Sequence, residues 1–276
     1  MRLERERWDT PDGDFIDVDF AGDAAAAKRL VLFHGLEGCS DSHYARAVAA
    51  HFAARAWRVA IPNFRGCSGE PNRKARAYHS GDTEELDWIL KRLGPGICAV
   101  GISLGGNALL KWLGERGAEA PLKRAAAVSA PIDLAAAGDA LDRGLNRLLY
   151  TRHFLSTLKP KSLAKVERFP GLYDASKVRA ARTFREFDDV VTAPLHGFRD
   201  VEHYWSSASS GPWLGRIRVP TLLLNARNDP FLPEHALLAA SRDAAPCVLL
   251  EFPRTGGHAG FPHRWLAQRL LEFLDP

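Results

Sequence analysis

Long apolar runs, paired cysteines and clustered charge are what this 276-residue sequence lacks. No stretch approaches the roughly 18 consecutive apolar residues of a membrane span, so an integral membrane segment is not expected. The opening MRLERERW is charged and no apolar segment follows it, which speaks against a secretory signal. The four cysteines, Cys39, Cys67, Cys98 and Cys247, form no CxxC pair and no short-spaced framework. Free thiols in a reducing, cytoplasmic setting are the expectation, with Cys39 a small buried one. Arginine is scattered rather than run together and the formal net charge is only +4, so no nucleic-acid surface is expected. Internal repeats and low-complexity linkers are absent. So is any basic amphipathic helix that would mark peripheral membrane contact. The four aspartates Asp12, Asp14, Asp17 and Asp19 miss the spacing of a calcium loop and read instead as solvent-facing strand residues.

What is present is a regular alternation of short apolar runs and helical spacing. A β-hairpin is expected over Leu3–Trp8 and Phe15–Phe20, about the turn Thr10-Pro11-Asp12-Gly13. Strand-like runs follow at Leu30–Phe33, Trp57–Ile61, Ile97–Ile102, Ala125–Ser129, Thr221–Asn225 and Cys247–Phe252. Between them lie helical patterns at Ser42–Ala56, Asp82–Leu93, Leu104–Gly117, Pro233–Asp243 and Pro262–Leu274. Such alternation implies parallel βαβ units and a sheet covered on both faces. The span 133–218 breaks the pattern: it is long, helical in flavour and free of strand-like runs. It reads as a cap inserted over the sheet, within a single domain covering 1–276.

Chemistry concentrates at Gly101-Ile102-Ser103-Leu104-Gly105, where a central strand turns into a helix. This is the G-x-S-x-G elbow in the context that gives it meaning, and the spacing does not fit the G-x-G-x-x-G of a dinucleotide site. The turn lifts the Ser103 hydroxyl clear of the backbone at the positive end of a helix. A serine hydroxyl needs a base. His258 sits in TGGHAGF, a glycine-rich loop before the last helix, whereas His43, His51, His153 and His263 fall in helix-like stretches. The base needs an orienting carboxylate, and Asp229 in LLLNARNDPFLP lies just past a strand. The order Ser103, Asp229, His258 is that of Ser-Asp-His hydrolases. Oxyanion donors are expected from the N–H groups of Leu104 and of Leu36, in FHGLEGCSDSHY. His34 and Gly35 should shape that loop and border the substrate.

These residues resemble the α/β-hydrolase superfamily and, within it, the YheT-like hydrolases. That bacterial branch is related to eukaryotic abhydrolase-domain lipid hydrolases and to yeast medium-chain ethanol acyltransferases. The resemblance runs through LFHGLEGCSDSHYAR, NFRGCSGEPN, YHSGDTEELDWIL, GISLGGNALLKWLGE, TFREFDDVVTAPLHGF and LNARNDPFLP, and so covers nearly the whole chain. It implies an α/β-hydrolase fold and esterase activity on short- to medium-chain acyl esters, acylglycerols among them, with no metal and no organic cofactor. Tyr204, Trp205 and Trp213 in the cap have two readings, lining an apolar acyl pocket or packing the cap onto the sheet. Three other readings stay open on the sequence: an alcohol acyltransferase using the same acyl-enzyme, C–C or thioester cleavage on the same triad, and a non-catalytic binding protein of hydrolase fold.

Overall fold

The computed structural model describes residues 2–276. Eight strands form one sheet: β1 (Glu4–Asp9), β2 (Phe15–Ala21), β3 (Lys28–Phe33), β4 (Trp57–Pro62), β5 (Ile97–Ile102), β6 (Leu122–Val128), β7 (Thr221–Leu224) and β8 (Val248–Glu251). Their order across the sheet is β1-β2-β4-β3-β5-β6-β7-β8. The hairpin β1–β2 joins antiparallel, and every pair from β4 to β8 is parallel. The parallel, doubly covered sheet is what the strand–helix alternation predicts, and the whole is the α/β-hydrolase fold that the resemblance implies.

Parallel strands need crossovers, and the helices supply both covering layers. Side chains alternate between two cores. Val31, Phe33 and Ala99 pack with α2 (Thr83–Leu93) and α3 (Leu104–Arg116). Leu30, Leu32 and Val100 pack with α1 (His43–Ala53) and the helix His263–Leu274. The central strand β5 is buried along its whole length, with apolar residues on both faces.

The aspartates in and just before β2 correct one expectation. Asp14, Asp17 and Asp19 do not face solvent: their exposures are 0, 2 and 2%. Strand register sets Arg5 opposite Asp19 and Arg7 opposite Asp17, and each pair is bidentate at 2.8–2.9 Å. Two loops cover the rest: from the loop after β3 Ser40 reaches Asp19, and from the segment after β4 Asn63 reaches Asp19, Ser68 reaches Asp17, and Arg65 and Asn72 reach Asp14. The alternation of the strand was legible; the loops that close over its polar face were not. Cys39 is likewise only partly buried.

Between β6 and β7 the chain forms helices joined by turns and no strand, with principal helices at Leu134–Leu141, Arg152–Arg168 and Val201–Ala208. Leu134, Leu141, Phe184, Trp205 and Phe231 make a small core of their own. No helix among the described residues is long and apolar enough to cross a membrane.

Candidate active site

Ser103 ends β5 with φ 53° and ψ −119°, a conformation costly for any residue with a Cβ. The neighbouring glycines make it attainable. A Cβ on Gly101 would lie 2.4 Å from the Gly105 carbonyl oxygen, and one on Gly105 would lie 2.6 Å from the carbonyl oxygens of both Phe33 and His34. The strand and helix therefore meet only if both positions are bare. The Ser103 N–H donates to Val128 O at 2.8 Å, fixing the turn to β6.

Ser103 Oγ lies 2.8 Å from His258 Nε2, and His258 Nδ1 lies 3.1 and 3.0 Å from the two oxygens of Asp229. The Asp229 side chain is fully buried, while that of His258 keeps 14% exposure. Asp229 is held in turn by the Phe231 N–H, which donates to Oδ1 at 2.8 Å. The His258 loop is pinned on both sides: Gly257 N–H donates to Asn228 Oδ1 and Ala259 N–H to Ser129 Oγ, each at 2.9 Å. The Phe231 ring stacks on the imidazole at 3.8 Å and 21°. Asn228, Ser129 and Phe231 are the positioning residues that sequence reasoning missed. Asn228 and Phe231 flank Asp229 in sequence, which was the available signal; Ser129 had none beyond ending a strand.

Leu36 and Leu104 both border the cavity beside Ser103. Their N–H groups find no acceptor among the described residues, although the loop around Leu36 is otherwise satisfied. Gly35 N–H donates to Tyr44 Oη at 2.9 Å and Glu37 N–H to Tyr78 Oη at 2.8 Å. The two N–H groups thus lie beside Ser103 with their neighbours tied down, the arrangement that an oxyanion site would need. Gly35 also lies close to Ser103: a Cβ there would stand 3.1 Å from Ser103 Cβ, a tight contact.

His34 and Gly35 do not line the cavity, contrary to expectation. His34 is completely buried; its Nδ1–H donates to Gly35 O at 2.8 Å and its Nε2 accepts the Phe64 N–H at 3.0 Å. Burial pushes the imidazole down to about 4, so it stays neutral and props the loop. Trp213 takes the packing reading: it lies against α3 at Gly114.

Tyr204 and Trp205 do border the cavity, which encloses about 680 Å³ above Ser103. Its walls are largely apolar, from Leu141, Phe154, Phe184, Phe187 and Phe231. The polar ends of the two aromatics are satisfied: the Tyr204 hydroxyl accepts the Ser80 N–H at 3.0 Å, and the Trp205 indole donates to Asp188 at 2.8 Å. Burial raises the Asp188 carboxyl to about 6, against the pull of Thr192 and Trp205.

The family model of the α/β hydrolase fold matches residues 28–263. The chain is 38% identical to the esterase candidate YheT of Escherichia coli (strain K12), over 98% of this chain and 84% of that one. It is 32% identical to phospholipase ABHD3 of Mus musculus, over 95% of this chain and 67% of that one. Among solved structures, an esterase from Exiguobacterium antarcticum superposes with a TM-score of 0.65 at 15% identity, covering 98% of this chain and 99% of that one, a likeness of fold alone. The chain belongs to the α/β hydrolase fold family. Within it, the chain sits in the YheT-like branch, among esterase- and lipase-type hydrolases.

Proposed function

We propose that the protein is a serine carboxylic-ester hydrolase acting on short- to medium-chain acyl esters through Ser103, His258 and Asp229. The observation that carries the reading is the continuous contact from Ser103 Oγ through the imidazole to the buried Asp229 carboxylate, at the floor of an apolar cavity. His258 Nε2 takes the hydroxyl proton as Oγ attacks the ester carbonyl, while Asp229 accepts the Nδ1–H and stabilises the imidazolium. The carbonyl oxygen, now an oxyanion, is held by the N–H groups of Leu36 and Leu104. The tetrahedral intermediate collapses, His258 returns the proton to the departing alcohol, and the acyl group remains on Ser103. Water repeats the sequence and releases the acid. The residues between β6 and β7 act as a cap whose aromatic wall receives the acyl chain, with Tyr204 and Trp205 in that wall.

The test is hydrolysis of p-nitrophenyl esters from acetate to palmitate, wild type beside Ser103→Ala. The expected result is a rate that peaks at one chain length and falls by a factor on the order of 10⁴ or more in the variant. Equal rates in the two proteins would remove Ser103 from the chemistry. Products analysed with ethanol present distinguish hydrolysis from acyl transfer to an alcohol.

A further inference from the structure

The three most exposed large apolar side chains among the described residues stand in one helical segment: Leu145, Leu148 and Leu149, at 73, 63 and 61%. Tyr150 is exposed beside them. The backbone is helical from Gly144 to Arg168, with a π-helical turn at Arg147–Thr151. Residues 147–150 are exposed without exception. Four consecutive helical residues cover most of a helix circumference, so residues 147–150 project from the body, which the turn meets through the buried Thr151 and one edge of the Tyr150 ring. It is fastened at its ends: Asn146 Nδ2 donates to Pro230 O at 2.7 Å, and Thr151 Oγ1 donates to Leu141 O at 2.7 Å. Periodicity alone marks no basic amphipathic helix here, because the π turn breaks the 3.6-residue register on which such a stripe depends.

Cations surround the leucines. Arg143, Arg147 and Arg152 are exposed, and no aspartate or glutamate occurs from 143 to 166. Arg143 meets Asp139 at 3.4 Å. Arg147 lies near Asp142, whose oxygens are already taken by the N–H groups of Phe184 and Arg185. The patch also adjoins the cavity. The Tyr150 ring lies 4.9 Å from the Phe231 ring, which lines the cavity and stacks on His258.

We propose that residues 145–152 dock the protein on an anionic lipid surface, leucines entering between the headgroups and Arg147 and Arg152 pairing with their phosphates. A soluble chain rarely leaves so concentrated an apolar patch uncovered without a partner. Leucine tips ringed by guanidinium groups match the interface of a negatively charged bilayer, where burial and charge act together. A second copy of the chain suits the patch less well, because a two-fold contact through it would set arginines against arginines. The inference stands apart from the ester-cleaving reading; it concerns where the protein sits, and the readout that decides it is vesicle binding.

The experiment is co-sedimentation of the intact protein with phosphatidylcholine vesicles, with and without phosphatidylglycerol. Binding is expected to require the anionic lipid and to weaken with added salt. Arg147→Gln/Arg152→Gln should weaken it about thirtyfold, the loss expected when two surface cations leave a headgroup layer. Leu148→Ser/Leu149→Ser should weaken it at least about tenfold. Thermal melting shows that both variants fold, and their rates on a water-soluble short ester should match wild type. Wild type that fails to bind anionic vesicles, or variants that bind as well as wild type, would overturn the proposal. So would concentration-dependent self-association that disappears in Leu148→Ser/Leu149→Ser, which would make the patch an interface between copies.

Discussion

The sheet and the insertion between β6 and β7 solve opposite problems. In the sheet, neighbouring backbones approach so closely that two glycines are obligatory, and Ser103, Asp229 and His258, carried past the ends of β5, β7 and β8, are linked in series by hydrogen bonds. In the insertion, helices enclose a volume, leave three leucines in solvent and hold a carboxyl against burial. The difference teaches where tolerance lies. A nucleophile must be placed to tenths of an ångström, whereas an acyl pocket needs only the right size and polarity. Changes to the sheet should therefore cost most, and changes to the insertion least.

The largest effect should come from Gly105→Ala. The added methyl has backbone oxygens 2.6 Å away on β3 and in the loop after it, with no flexible side chain to yield. A loss of about 3 kcal/mol or more in urea unfolding is expected, together with loss of ester turnover. A variant as stable and active as wild type would mean that strand and helix can separate at the elbow, and the contrast with the insertion would fail there.

Next come two buried groups that pull stability in opposite directions with pH. His34, in the loop that follows β3, is pushed down to about 4 by burial, from an ordinary value of 6.5. Its neutral form is the folded one, so its contribution is complete above 6.5 and is lost as pH falls toward 4. Asp188, in the insertion, is raised to about 6 from 3.8. Its protonated form is the folded one, so its contribution is complete below about 4 and is lost as pH rises toward 6. Each is worth at most about 3 kcal/mol. Asp188→Asn keeps an acceptor for the Trp205 indole and offers N–H to Thr192. Urea unfolding across this range should find the variant level with wild type near pH 4 and about 1–3 kcal/mol more stable above pH 6. A difference that does not change with pH would mean that the Asp188 carboxyl is not held protonated.

The same division governs what was legible in the sequence. The elbow, the short motifs around Asp229 and His258, and the strand–helix alternation are local patterns, each set by residues adjacent in the chain. His34 and Gly35 were misplaced because what covers them is not local: Phe64 and Tyr44 close over them from elsewhere. Asp14, Asp17 and Asp19 looked like a solvent face because strand alternation cannot register a loop that folds back from 63–74. In the insertion, Leu141 and Leu145 look equivalent in the sequence, yet one is buried at 9% and the other exposed at 73%. Only the tertiary arrangement tells them apart.

A smaller effect should follow from Tyr78→Phe. The phenol accepts the Glu37 N–H and donates to Glu37 Oε1, both at 2.8 Å, and Glu37 follows Leu36 with φ 56°. Losing the hydroxyl frees the loop next to a proposed oxyanion donor and leaves the benzene ring stacked on Phe64 at 5.3 Å. About a tenfold fall in kcat with KM nearly unchanged is expected in ester kinetics. A rise in KM with kcat intact would instead make Tyr78 part of the acyl pocket.

Lys161→Met should do least, and it bears directly on the division. Lys161, on the helix Arg152–Arg168, meets Glu37 Oε2 at 2.8 Å, an ion pair that ties the insertion to the loop carrying Leu36. The lysine is 45% exposed, so solvent screens the pair and its worth is under about 1 kcal/mol. Glu37 also keeps its bond to Tyr78 when the lysine is gone. The expected outcome is a stability loss below 1 kcal/mol that vanishes in high salt, with kcat within about twofold of wild type. If Lys161→Met instead lowers kcat as far as Tyr78→Phe does, then the insertion holds the oxyanion loop in place. The helices over the cavity would then share in setting the reacting geometry, and the sheet alone would not suffice for it.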